Sequence, residues 1–223
     1  FKNRIIRPII QNVLPNSNIY FESGISSKYY DISSQNAYNE YVSGNLIKTK
    51  LEINSKEKFS TDVSICDVKT ILVDEDEDGH ERRKVTFNGM FAMVSLPKNF
   101  NGNMNLMKNQ GIFFNNNNKL EMDMTEFENV FDIETDNKIS TMQWLTSDIM
   151  TGFLRLYRKS GILFEFGIRQ DILCIKFYTN NLLDNNIFKS KMSLEDMKQY
   201  NKNLEIIKEI IEYLVSTYSF VDF

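Results

Sequence analysis

Apolar and polar positions alternate with two different periods along the chain. At the N-terminal end Ile5, Ile6, Ile9, Ile10 and Val13 recur at helical spacing. Pro8 lacks an N–H and its ring clashes with the preceding helical turn, so the spacing predicts a kinked helix over Phe1 to Val13 or one that starts near Pro8. Leu14-Pro15-Asn16 ends it. Asn16 to Asn45 is polar, with a short helix or extended strand expected around Ser17 to Tyr30. The pairs Ser26-Ser27 and Ser33-Ser34 supply loop or cap chemistry. From Tyr41 the period becomes two. Leu46 to Ile53 alternates apolar and polar, with Lys48, Lys50 and Glu52 on the wet face of a half-buried strand. Asn54 to Lys58 turns, and Phe59 to Val73 supplies the next strand or pair of strands. Arg83 to Leu96 follows as a strand in which Gly89 marks a bulge or a close backbone approach. Asn101-Gly102 is the strongest hairpin dipeptide. Asn103 to Phe114 holds one strand, with room for a second short one, before the low-complexity loop Asn115 to Asn118.

The densest apolar patterning lies in Thr125 to Phe177. Met122 to Phe131 reads as a short amphipathic turn, and Phe131 to Glu134 as the start of an extended segment. Ser140 to Leu145 is expected to be extended. Thr146 and Ser147 can cap a helix over Asp148 to Lys159, in which Ile149, Met150, Phe153, Leu154 and Tyr157 share a face. Ser160-Gly161 stops it, and two apolar strands follow, joined by the turn Arg169-Gln170-Asp171. Phe127, Phe131, Trp144, Met150, Phe153 and Leu154 read as core rather than ligand contacts. At the C-terminal end Ser193 and Asp196 resemble a capping box. The helix they open runs to about Tyr218, burying Leu204, Ile207, Ile210, Ile211, Leu214 and Val215. The pattern predicts an α+β fold over residues 1–223: an N-terminal helix (1–15), a mainly antiparallel sheet (41–178) with a central helix, and a C-terminal helix (193–218). A barrel-like closure under the last helix is a variant.

Composition adds little beyond class. The 223 residues are 42% hydrophobic and 25% charged, which fits a globular chain with a full core. A net charge of −4 argues against nucleic acid as a partner. No apolar run reaches the ~20 residues that span a bilayer. The chain begins at Phe1 rather than Met, and the expectation is a piece of a longer protein.

Candidate chemistry is sparse. Asp74 to His80 matches the first half of a calcium loop, with Asp74, Asp76, Asp78 and Gly79, but Val85 stands where the bidentate Glu belongs. An acidic, solvated hairpin loop is the simpler reading. His80 is the single histidine and lies at this tip, which disfavours a Ser–His–Asp triad. Cys66 and Cys174 sit in strand-like runs and read as buried free thiols. No glycine-rich phosphate motif occurs. Tyr20, Tyr29, Tyr30, Tyr38 and Tyr41 offer a stacking surface, or rings packed at the edge of a core with wet hydroxyls. No residue is assigned a catalytic, cofactor-binding or metal-binding role, and no cofactor is expected.

Several stretches do resemble a known family. Glu126-Phe127, Phe131-Asp132-Ile133, Asp136, Leu145-Thr146, Ile149-Met150 and Leu154 precede two apolar strands. Upstream stand Phe87-Asn88-Gly89-Met90-Phe91 and Phe100-Asn101-Gly102. Together these resemble the bacterial family known as domain of unknown function 3137, with Ser147 where that family usually has Pro. The resemblance spans Tyr41 to Tyr178. It implies a membrane-anchored bacterial protein whose soluble domain is cytoplasmic and follows hydrophobic segments missing upstream of this chain. It supplies no activity and no catalytic residues. Three functions follow in order of weight. The first is a non-catalytic binding or scaffolding domain with a protein or lipid partner. The second is a small-molecule or lipid-binding domain, which needs a pocket lined by Phe, Met and Tyr. The last is a hydrolase using paired carboxylates.

Overall fold

The computed structural model describes residues 4, 6–33, 36–75, 78–111, 118–179 and 194–221. Nine strands form one antiparallel sheet among them: β1 Asn18–Tyr20, β2 Glu40–Ile53, β3 Phe59–Glu75, β4 Glu81–Ser95, β5 Asn103–Lys108, β6 Lys119–Leu120, β7 Phe131–Thr135, β8 Phe164–Arg169 and β9 Ile172–Phe177. Their order is β1-β2-β3-β4-β9-β8-β5-β7-β6. Edge strands β1 and β6 lie at opposite ends of that order, so the sheet is open and the barrel-like variant is not adopted. The helices are α1 Arg7–Val13, α2 Ser27–Tyr30, α3 Thr125–Glu128, α4 Lys138–Trp144, α5 Ser147–Ser160 and α6 Leu194–Ser219.

One face of the sheet carries the main core. The α6 stripe predicted from spacing is fully buried there, with α1 and α5 beside it. Aromatic rings interlock beneath: Trp144 meets Phe153, Phe166 and Tyr218 edge-on or tilted, and Phe131 stacks between Phe127 and Phe164. The Trp144 indole donates to Thr217 Oγ1 at 3.3 Å. All six aromatic and aliphatic residues read as core in the Thr125 to Phe177 stretch are buried. The α-helix proper begins at Arg7 with Pro8 in its first turn, and Arg4 and Ile6 before it have π-helical geometry; residues 1–3 and 5 lie outside the described residues.

Two local expectations change, and one pair of alternatives is decided. Lys138 to Trp144 is helical, not extended. The Asn137 side chain accepts from Ser140 N and caps it, and Ser140, Thr141 and Trp144 form its buried side. The small polar residues hid that helical spacing. Asn101-Gly102 makes a turn but no hairpin: β4 pairs with β9 and β5 with β8, so the β8–β9 hairpin inserts between them. Phe100 N bonding Gln170 O pins the turn to that hairpin. Gly89 is a close approach rather than a bulge, because a Cβ there would overlap the Phe177 carbonyl. The register shift of that strand pair falls instead opposite Thr70/Ile71. A second bulge, at Gly44–Ile47 of β2, holds Asn45 at φ +56°. Residues 115–117 of the low-complexity loop and Ser193 of the capping box lie outside the described residues.

Candidate functional site

The second face of the sheet carries the unusual chemistry. Its core is built from Ile25, Tyr30, Leu46, Cys66, Val68, Phe87, Phe91 and Cys174. Among them lies Lys176, 1% exposed, in the middle of β9. The hairpin register sets it opposite Glu165 of β8, and its Nζ stands 2.5 Å from Glu165 Oε2. The same oxygen accepts from Tyr178 OH at 2.8 Å, while Oε1 accepts from Lys108 N at 3.0 Å. The Tyr30 and Tyr178 rings flank the ammonium at 5.8 and 6.0 Å. Burial holds Lys176 below the usual lysine range, against the opposing pull of Glu165. Burial, then Glu165, pushes Tyr178 well up.

A strap formed by α2 and the tight turn Asp31–Ser33 closes this face. Ser26 and Ser27 start α2 as the cap chemistry suggested, without a side-chain cap bond. Three of the five tyrosines, Tyr30, Tyr38 and Tyr41, are strap fastenings. Tyr41 OH donates to Ile25 O at 2.8 Å and Tyr38 OH to Asp31 Oδ1 at 2.5 Å. Tyr30 is fully buried against Phe87 and Phe91. The Tyr41 and Tyr30 hydroxyls have protein partners, Ile25 O and Thr70 Oγ1, while Tyr20 stays exposed as a wet tyrosine should. Gly167 lets the strap lie close, since a Cβ there would overlap the Ile32 carbonyl. Cys66 and Cys174 are free and buried, and burial pushes both thiols up to about 12. Filled by its own lysine, glutamate and rings, this region is a fastening rather than a binding cavity.

The acidic hairpin joins β3 to β4 with His80 exposed beside it, and residues 76 and 77 lie outside the described residues. Among the described residues, no three His, Cys, Asp or Glu side chains are grouped to hold a metal ion. No helix among them is long and apolar enough to cross a membrane.

An open surface lies at the other end of the sheet order. β1 pairs with β2 only at Leu46, Ile47 and Lys48. Beyond Lys48 the outer edge of β2, Thr49 to Ile53, has no neighbouring strand among the described residues. A groove of about 750 Å³ runs beside it. The loop after α1 (Val13 to Asn16) forms one wall, and Lys208 and Glu212 of α6 another. Lys48, Lys50, Glu52 and Asp62 supply its charge, with Lys50 Nζ 3.7 Å from Asp62. A smaller groove of about 460 Å³ lies between α1 and α6, against Pro8, Ile9 and Met197. The Phe and Tyr side chains that motivated an aromatic-lined ligand pocket line neither groove.

Sequence reasoning assigned no site residues, and it missed both features. The Lys–Glu pair had a signal: β8 and β9 each place a charged residue among apolar neighbours, and a turn at Gln170-Asp171 pairs those two positions. The open edge had none, because it depends on where β1 stops.

Searches of curated proteins and of solved structures gave no match. A family described as "Protein of unknown function (DUF3137)" matches residues 85–215, from β4 into α6, and leaves β1 to β3 and most of the groove outside it. With more than half its length matched, the chain belongs to the DUF3137 family.

Proposed function

We propose that the chain is a non-catalytic binding or scaffolding domain of a bacterial membrane-associated protein, and that its partner docks in the groove beside the open edge of β2. The observation that carries the reading is the unpaired stretch Thr49 to Ile53 facing that groove. An exposed strand edge offers unmet backbone donors and acceptors, and an added extended segment satisfies them. The closed state of the other polar region supports a non-catalytic role, since Lys176 and Glu165 are spent on each other. Membrane association rests on the family resemblance, with the anchor in a segment upstream of Phe1 and the domain on the cytoplasmic side.

A photo-cross-linking amino acid in place of Lys50 tests the reading in cells, with one in place of Lys84 as control. Partner adducts specific to position 50 and membrane fractionation of the full-length protein are expected. Adducts equal at both positions, or catalytic turnover by the purified chain, would count against it. A second reading, small-molecule or lipid binding, is favoured by the apolar groove at Ile9 and Met197. Retention of a lipid or metabolite on the purified chain, abolished by Ile9→Asp, supports that one.

A further inference from the structure

We propose that the open edge of β2 pairs with the same edge of a second copy of this chain, antiparallel about a two-fold axis through Leu51. The inference rests on the groove being the docking site and names its occupant.

The first argument is geometric. β1 covers Leu46 to Lys48 in each copy, and the chain turns away after Ile53. The bare edge is therefore limited to Thr49 to Ile53, about 17 Å of strand. An antiparallel pairing centred on Leu51 sets Thr49 against the second copy's Ile53. The bare stretch of one edge then coincides with the bare stretch of the other, and no backbone group of either stretch is left over. A shift of two residues one way drives each edge into the end of the other copy's β1 and sets Lys50 against itself; a shift of two the other way leaves Thr49 and Lys50 opposite the turn after Ile53 and sets Glu52 against itself.

The second argument is charge. In that register Lys50 faces Glu52 of the second copy, and Glu52 faces its Lys50. Both side chains lie on the exposed face of the strand. An isologous interface needs this reciprocity, in which residue i meets j and j meets i. The groove walls repeat the pattern, with Lys48, Lys50 and Lys208 balanced by Glu52, Asp62 and Glu212. Such an alternating lining does not select a strongly acidic or strongly basic peptide. A lysine on a strand edge ordinarily repels another edge. Here Glu52 converts that guard into a condition: the edge rejects a lysine-rich strand and admits its own reverse.

The test is sedimentation velocity on the purified chain from about 5 to 500 μM, with Lys50→Glu, Glu52→Lys and the double exchange. Reversing both cross-strand pairs weakens association about thirtyfold in each single variant. The double exchange restores the pairing and returns association to within a few-fold of the parent. Both side chains are exposed, so the fold is expected to survive, and circular dichroism checks it. A chain monomeric throughout the range, or a double variant as weak as the singles, overturns the proposal. Should position 50 cross-link to a different protein while the chain stays monomeric, the second copy is excluded and the groove keeps its binding role. Loss of position-specific adducts together with a monomeric chain removes both.

Discussion

Replacing Glu165 with Leu is the most informative single perturbation of the second face. It leaves the Lys176 ammonium 1% exposed, without its carboxylate and with only two ring faces near it. Orphaning one member of a buried ion pair costs about 3–5 kcal/mol. An independent bound agrees: a lysine can always escape by losing its proton, which at pH 7 costs about 4.6 kcal/mol from its ordinary value. Lys176→Met is expected to cost less, about 2–3 kcal/mol, because Glu165 keeps its bonds from Tyr178 and Lys108. The double variant Glu165→Leu/Lys176→Met leaves no buried charge and is expected to be nearer the parent than Glu165→Leu alone, the remaining cost being the Tyr178 and Lys108 donors that lose their acceptor. The pH dependence separates the two. Lys176 is already held below the usual range. In Glu165→Leu the unfolded chain binds the extra proton between the depressed folded value and the unfolded one near 10.4, so stability rises with pH by up to about 1.4 kcal/mol per unit. Lys176→Met removes the titrating ammonium and with it this pH dependence. Urea unfolding followed by the fluorescence of Trp144, the only tryptophan, measures both. A Glu165→Leu cost below about 1 kcal/mol, or one independent of pH from 6 to 10, would refute the reasoning.

Three further outcomes follow from the same geometry. The folded thiols of Cys66 and Cys174 titrate at about 12 against an unfolded value of 9.0, so their contribution is intact below pH 9 and is lost as pH rises from 9 toward 12. At pH 10.5 each thiol accounts for about 2 kcal/mol of lost stability; Cys66→Ala/Cys174→Ala should flatten the alkaline limb of a stability–pH curve, and an unchanged limb disproves the assignment. Gly167→Ala forces the Ile32 carbonyl away and is expected to cost about 1–3 kcal/mol. Hydrogen exchange should speed up selectively in residues 25–33; uniform exchange across the sheet would show that the strap is not the part displaced. Trp144→Ala removes a fully buried ring from contact with Phe153, Phe166 and Tyr218, and should lower stability by about 3–5 kcal/mol in thermal or urea unfolding.

What was legible in the sequence follows the range of the interactions involved. The α6 stripe, the α5 face and the β8–β9 hairpin were readable because each is written within one element at a single period. The α4 helix was not, because its buried side uses Ser140 and Thr141, whose polarity hides the spacing that Trp144 completes. Asn101-Gly102 misled for a different reason. A dipeptide fixes a turn, but which strand lies next to β4 is decided by pairing with β9, some eighty residues along the chain. The candidate site shows the same division. Glu165 and Lys176 could be paired from the turn between them, yet their burial required the strap, which arrives from residues 25–33. The groove is wholly a product of topology. Nothing in Leu46 to Ile53 marks where its outer neighbour ends, and the edge opens only because β1 is short and the chain before it returns to α1. The feature with the greatest consequence for binding is therefore made by a strand that stops, an event at the boundary between two elements, while periodicity reports only on their interiors.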